Sequence, residues 1–170
     1  VSLRSSQPTI IDNREALDRA LADSVDILQI WAHCGPHKVR FSPRAAFDTA
    51  ELADKVARCA PRLAVLVGCR SGALGRALVH RGVEAVVAMR VEVYSLTIQP
   101  LVADLVSLVL DGVPIDLAFA EALRSYVLTG QPGAAAVPLL YLAEGSSGQL
   151  FSTTASAVSA PVRDSHEDAS

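Results

Sequence analysis

An α/β domain with a mainly parallel central sheet is what this sequence predicts, and three observations predict it. Four short runs are almost continuously apolar, as strands covered on both faces must be. Helical patterns separate those runs, so strand and helix alternate. Of 170 residues, 51% are hydrophobic and 19% charged, which is enough apolar surface for a core and too little charge for a disordered chain.

Taken in order, residues 1–4 have strand character but no obvious neighbour. Asp12, as N-cap with Glu15 three residues on, opens a first helix that runs to about Asp23. The first apolar run covers residues 26–31. A second helix spans residues 49–60, and the second run covers residues 63–68. The third helix follows Gly72 and closes at Gly82, a residue suited to the left-handed turn that ends helices. The third run is residues 84–89. Two helices then flank Gly112 and Pro114, where one stops and the next starts. Asp104, Asp111, Pro114 and Asp116 interrupt the apolar stretch there, which suits buried helix and not a membrane span. The fourth run is residues 137–142. Residues 152–170, rich in Ser, Thr and Ala, read as a disordered tail or linker, leaving residues 1–151 as the folded domain.

A net charge of −3 leaves no electrostatic footprint for nucleic acid or a membrane surface, and with aromatics at 5% there is no base-stacking platform. The cysteines are Cys34, Cys59 and Cys69. Their odd number and the lack of a C-x-x-C spacing argue against a disulfide framework, so a reducing, cytoplasmic setting fits. The chain opens on Val1, which leads us to expect a fragment or a processed product.

In open α/β sheets ligands bind beyond the carboxyl ends of the strands, and two such ends carry reactive residues. The first run ends I-W-A-H-C-G, with His33 and Cys34 just past it. The second ends V-L-V-G-C-R-S-G, with Cys69 just past it. If those strands are neighbours, His33 and Cys69 face one crevice. A thiolate is the nucleophile in cysteine proteolysis, an imidazole can take its proton, and nearby backbone N–H groups can hold the oxyanion. Gly68 and Gly72 would let that loop turn tightly. Cys34, Cys59, His37 and His80 have ordinary structural readings: Cys59 in a helix, His37 in a loop, and His80 at a helix end where a cation suits the dipole. Asp26, Arg90 and Glu92 could charge a nearby substrate pocket but read first as surface residues.

Three motifs compete around Cys69. Gly68, Gly72 and Gly75 lack the G-x-G-x-x-G spacing of a dinucleotide loop, and no acidic residue closes the following strand. C-R-S-G ahead of a helix and a G-V-x-x-V strand resembles the active loop of rhodanese-type sulfurtransferases, over Cys69 to about Val87 only. There Cys69 would carry a persulfide.

The third resemblance is the broadest. T-I-I-D-N-R-E-A-L-D-R-A-L, D-I-L-Q-I-W-A-H-C-G, L-A-V-L-V-G-C-R-S-G, R-A-L-V-H-R-G-V-E-A-V-V-A-M-R, D-G-V-P-I-D-L-A-F-A-E-A-L-R, P-L-L-Y-L and Q-L-F follow one another. In that order they resemble the segments of the CHAT domain, a caspase-like cysteine peptidase family often joined to tetratricopeptide repeats. The resemblance implies a caspase-like three-layer sandwich and an endopeptidase acting on protein or peptide substrates. It implies a Cys69–His33 dyad with no metal or organic cofactor. It further implies an oxyanion hole from the N–H groups of Cys69 and of Cys34 or Gly35. Where the family commonly has Gly after the histidine, this chain has Cys34, and its earlier histidine is Gln29 here. The family's first strand and helix have no counterpart, so an upstream segment or a companion chain is expected to complete the sheet beside the histidine strand. Regulation by a sensor or repeat module is a further expectation, and a catalytically silent scaffold for protein interaction is the alternative from another class.

Overall fold

The computed structural model describes residues 9–92, 95–128 and 137–152, so the strand expected at residues 1–4 and nearly all of the expected tail lie outside the described residues. In chain order the elements are α1 (Arg14–Ala20), β1 (Ile27–Trp31), β2 (His33–Cys34), β3 (Lys38–Ser42), β4 (Ala45–Asp48), α2 (Thr49–Arg58), β5 (Leu63–Val67), α3 (Gly72–Val79), β6 (Ala85–Met89), α4 (Ser95–Leu110), α5 (Ile115–Leu128) and β7 (Pro138–Leu142).

The apolar runs become one mixed, mostly parallel sheet in the order β1-β5-β6-β7. The β1–β5 and β5–β6 pairs are parallel, and β7 runs antiparallel to β6. Every residue of β5 and β6 is buried, which is why both strands are apolar without alternation. Their side chains feed two cores. Leu63, Val65, Val67, Ala85, Val87 and Met89 pack with Leu101, Leu105 and Ile115 of α4 and α5 on one face. Ala64, Leu66, Val86 and Ala88 pack with Leu17, Leu52, Val56 and Leu74 of α1, α2 and α3 on the other. Helices therefore cover both faces of the sheet. Each fully buried Leu or Val contributes about 1.5–3 kcal/mol of transfer free energy, so the two central strands contribute to both cores. Leu150 and Phe151 are buried in the first core.

Three features differ from the sequence-based expectation. The segment after β1 folds back as a second, antiparallel sheet in the order β2-β3-β4, so His33 and Cys34 lie in a strand and not in a simple loop. Helix α1 is capped by Asn13 and not by Asp12: the Asn13 side chain accepts from the Ala16 N–H at 2.8 Å, while the Asp12 carbonyl accepts from Ser42 Oγ at 3.5 Å. Helix α2 stops at Arg58, and Cys59 is its C-cap, donating its thiol to the Val56 carbonyl at 3.0 Å. Elsewhere the punctuation is as expected: past α3 the chain turns at Gly82, with φ +94°, and Val83 donates back to the Leu78 carbonyl.

Candidate active site

The paired strands decide what meets at the sheet's carboxyl edge. Strands β1 and β5 are adjacent and parallel, in a register that ends at Trp31 opposite Val67. The Ala32 N–H still donates to the Val67 carbonyl at 3.2 Å, so pairing persists into the loops. His33 and Cys69 each lie two residues beyond that last pair. The two residues chosen from the sequence thus leave neighbouring strands at the same level.

Beyond β5 the chain makes a tight turn. The Ser71 N–H donates to the Gly68 carbonyl at 3.2 Å, and the Arg70 N–H donates to the Val91 carbonyl at 3.3 Å. Arg70 has φ +54°, a left-handed conformation that costs a residue with a Cβ about 1–2 kcal/mol. That strain sits on the residue next to Cys69. The buried Ser71 hydroxyl holds the turn down, donating to the Leu66 carbonyl at 3.1 Å and accepting from the Met89 N–H at 2.9 Å. Sequence reasoning did not single out Ser71. A small hydroxyl directly before an apolar helix was the available signal, but it reads equally as an N-cap, and here it makes no side-chain cap bond.

Strand β2 pairs with β3 so that His33 lies opposite Arg40 and Cys34 opposite Val39. Paired residues share a face: Val39 is fully buried on one, while His33 and Arg40 are exposed on the other. A cavity of about 450 Å³ opens here, lined by His33, Cys34, Gly35, Lys38 and Arg40. Lys38 and Arg40 place two cationic side chains on its lining, and Asp48 lies opposite Lys38 in the β3–β4 register. Cys69 is not one of its lining residues. His33 makes no side-chain hydrogen bond among the described residues and is exposed. The Gly35 N–H is committed to the Lys38 carbonyl at 2.7 Å, closing the β2–β3 turn, which narrows the expected oxyanion donors to Cys34 and Cys69.

Cys34, set aside from the sequence as structural, turns out to lie with its sulfur against the Cys69 loop. A Cβ built on Gly68 would lie 2.8 Å from the Cys34 sulfur and 2.3 Å from the Ala32 carbonyl oxygen. Burial first, and then the charge of Cys69, push the Cys34 thiol up to about 11. A thiol raised in the folded state keeps its proton after the unfolded chain has lost it. Cys34 therefore contributes stability that is whole below about pH 8.5 and is lost as pH rises toward 11. The melting-temperature difference between the wild-type chain and Cys34→Ala is expected to shrink between pH 8 and pH 11; a constant difference would contradict this assignment.

No protein-family model matches this chain. No curated protein resembles it significantly either. The remaining sequence candidates are peripheral. His37 lies in the β2–β3 turn, where its carbonyl accepts from the Thr49 N–H, and His80 is the C-cap of α3. Arg90 and Glu92 are exposed, with Glu92 4.0 Å from Arg70. Among the described residues no group of His, Cys, Asp and Glu could hold a metal ion, and no helix is long and apolar enough to cross a membrane.

Proposed function

We propose that this chain is a cysteine endopeptidase domain of the caspase-like, CHAT type, with Cys69 as nucleophile and His33 as general base. The observation that carries the reading is the β1–β5 pairing, which brings the ends of the histidine and cysteine strands side by side at one level of the sheet. The strained Arg70 beside Cys69 supports it, since such strain collects at functional turns. Helices on both faces of a mostly parallel sheet are compatible with the caspase-like layering that the sequence resembles.

In this mechanism His33 takes the Cys69 proton and the thiolate attacks the scissile carbonyl. The oxyanion is held by the Cys69 and Cys34 N–H groups, and His33 returns a proton to the leaving amine. Substrate binding has to bring His33 onto Cys69. Strand β1 is an outer strand of its sheet among the described residues, and an upstream segment or companion chain would pair there. The reading carries with it a cytoplasmic, reducing setting and control by a sensor or repeat module.

Cleavage of a mixed peptide pool tests this. Cys69→Ala is expected to abolish cleavage, and His33→Ala to slow it by about 10²–10⁴-fold. Retained cleavage in Cys69→Ala would remove the nucleophile assignment. A catalytically silent scaffold is the second reading, favoured by the exposure of His33 and by Cys34 standing where the family commonly has Gly. A thiol-reactive peptide probe separates the two: selective labelling of Cys69 supports the enzyme, and its absence supports the scaffold.

A further inference from the structure

We propose that Cys34 and Cys69 form a reversible disulfide when the protein meets a peroxide, with Cys69 oxidised first and Cys34 as the resolving thiol. This site stands on the two loops themselves and does not require the peptidase reading.

The geometry brings the sulfurs within reach. Parallel neighbours are about 4.8 Å apart, and the Ala32 to Val67 hydrogen bond keeps β1 and β5 at ladder spacing into the loops. Cys34 lies three residues beyond the last β1–β5 pair and Cys69 two, on the two neighbouring chain segments. The Cys34 sulfur already rests against Gly68, the residue before Cys69, where no side chain separates it from that turn. The two groups also interact electrostatically, as the influence of Cys69 on the Cys34 thiol shows. Neither thiol is in a disulfide in the structure, and both are half-buried and not sealed in the core. Cys59 is the built-in contrast. It is buried at the end of α2, while Cys34 and Cys69 are only half-buried.

The chemistry balances in two steps. The Cys69 thiolate attacks one peroxide oxygen; the S–O bond forms, the O–O bond breaks, and the departing oxygen takes a proton to leave as water or an alcohol. Sulfur has lost two electrons to the peroxide and is a sulfenic acid. The Cys34 sulfur then attacks the Cys69 sulfur. The S–S bond forms, the S–O bond breaks, and hydroxide leaves with the Cys34 proton as water. A small thiol reductant reverses the bond by exchange. Without Cys34, excess peroxide would carry Cys69 on to the sulfinic acid, which thiols do not reduce. Cys34 thus protects the Cys69 sulfur while silencing it.

The test is mass spectrometry of the whole chain treated with hydrogen peroxide and quenched without reductant. The expected product has lost two hydrogen atoms, and tryptic digestion links the peptide holding Cys34 to the one holding Cys69. Dithiothreitol should restore the starting mass. In Cys34→Ser and Cys34→Ala, the same treatment should instead add two oxygens at Cys69. Circular dichroism of both variants establishes that they are folded. The proposal is overturned if the linked pair includes Cys59, if no linked pair forms, or if Cys69 reaches the sulfinic acid equally in wild-type and variants. Because the readout is mass and not cleavage, failure here leaves the peptidase assignment standing, and failure of that assignment leaves this one testable.

Discussion

Gly68→Ala is expected to destabilise the fold by about 3 kcal/mol or more and to displace the Cys69 turn. The new Cβ would sit 2.3 Å from the Ala32 carbonyl oxygen, a backbone atom of a residue whose N–H is tied to the neighbouring strand, and 2.8 Å from the Cys34 sulfur. A flexible side chain could swing away, but backbone cannot do so without breaking pairing. The Ala32 N–H is bonded to the Val67 carbonyl, one residue from the clash, so relief on either side loosens the same junction. Against a typical total stability of about 5–15 kcal/mol, a loss of this size takes a large share. Urea denaturation measures the loss directly. The double substitution Gly68→Ala with Cys34→Gly removes the sulfur contact but not the carbonyl contact, so it should recover only part of the stability. Full recovery would show that the sulfur, and not the strand backbone, sets the close approach; a cost below about 0.5 kcal/mol in the single variant would dismiss the steric argument altogether.

The central sheet was legible because burial on both faces leaves a continuous apolar signature: residues 63–68 and 84–89 bracket the observed β5 and β6 within one residue at each end. The second sheet was not read, although its signal is present. Val39, Ala45 and Phe47 are buried between exposed Lys38, Arg40, Ala46 and Asp48, an alternation of period two carried by strands of only four or five residues. Runs that short compete poorly with the longer helical patterns on either side. The candidate site divides the same way. Reactive residues at strand ends could be read from His33 and Cys69, because the end of an apolar run is a local property. The seat of Cys34 against Gly68 could not, because it depends on how β1 and the turn after β5 approach each other in space. The helix caps show the limit at its finest. Asp12 and Asn13 are chemically similar caps, and only the observed geometry separates them.

Ser71→Ala is expected to cost about 1–3 kcal/mol and to change the reactivity of Cys69 at the same time. The parallel ladder between β5 and β6 ends at Val65 opposite Val87. Lower down, the Ala85 N–H donates to the Arg62 carbonyl, which fixes the hydrogen-bond phase of this pair. Continuing that phase by alternate residues, the next rung beyond the ladder would run from the Met89 N–H to the Leu66 carbonyl. Those are the two groups that the Ser71 hydroxyl bridges, at 2.9 and 3.1 Å. The strands have therefore parted by the width of one hydroxyl, and a side chain from the Cys69 turn relays the missing rung. Removing the hydroxyl leaves two outcomes. Either a buried donor and a buried acceptor lose their partner, at the cost above, or the strands close by one rung and pull the turn with them. Both act on Cys69, two residues away, so its alkylation rate with iodoacetamide should differ between Ser71→Ala and the wild-type chain. The denaturation midpoint should fall as well. A variant with unchanged stability and an unchanged alkylation rate would show that the relay carries no weight, and the turn would then be held by its backbone bonds to Gly68 and Val91 alone.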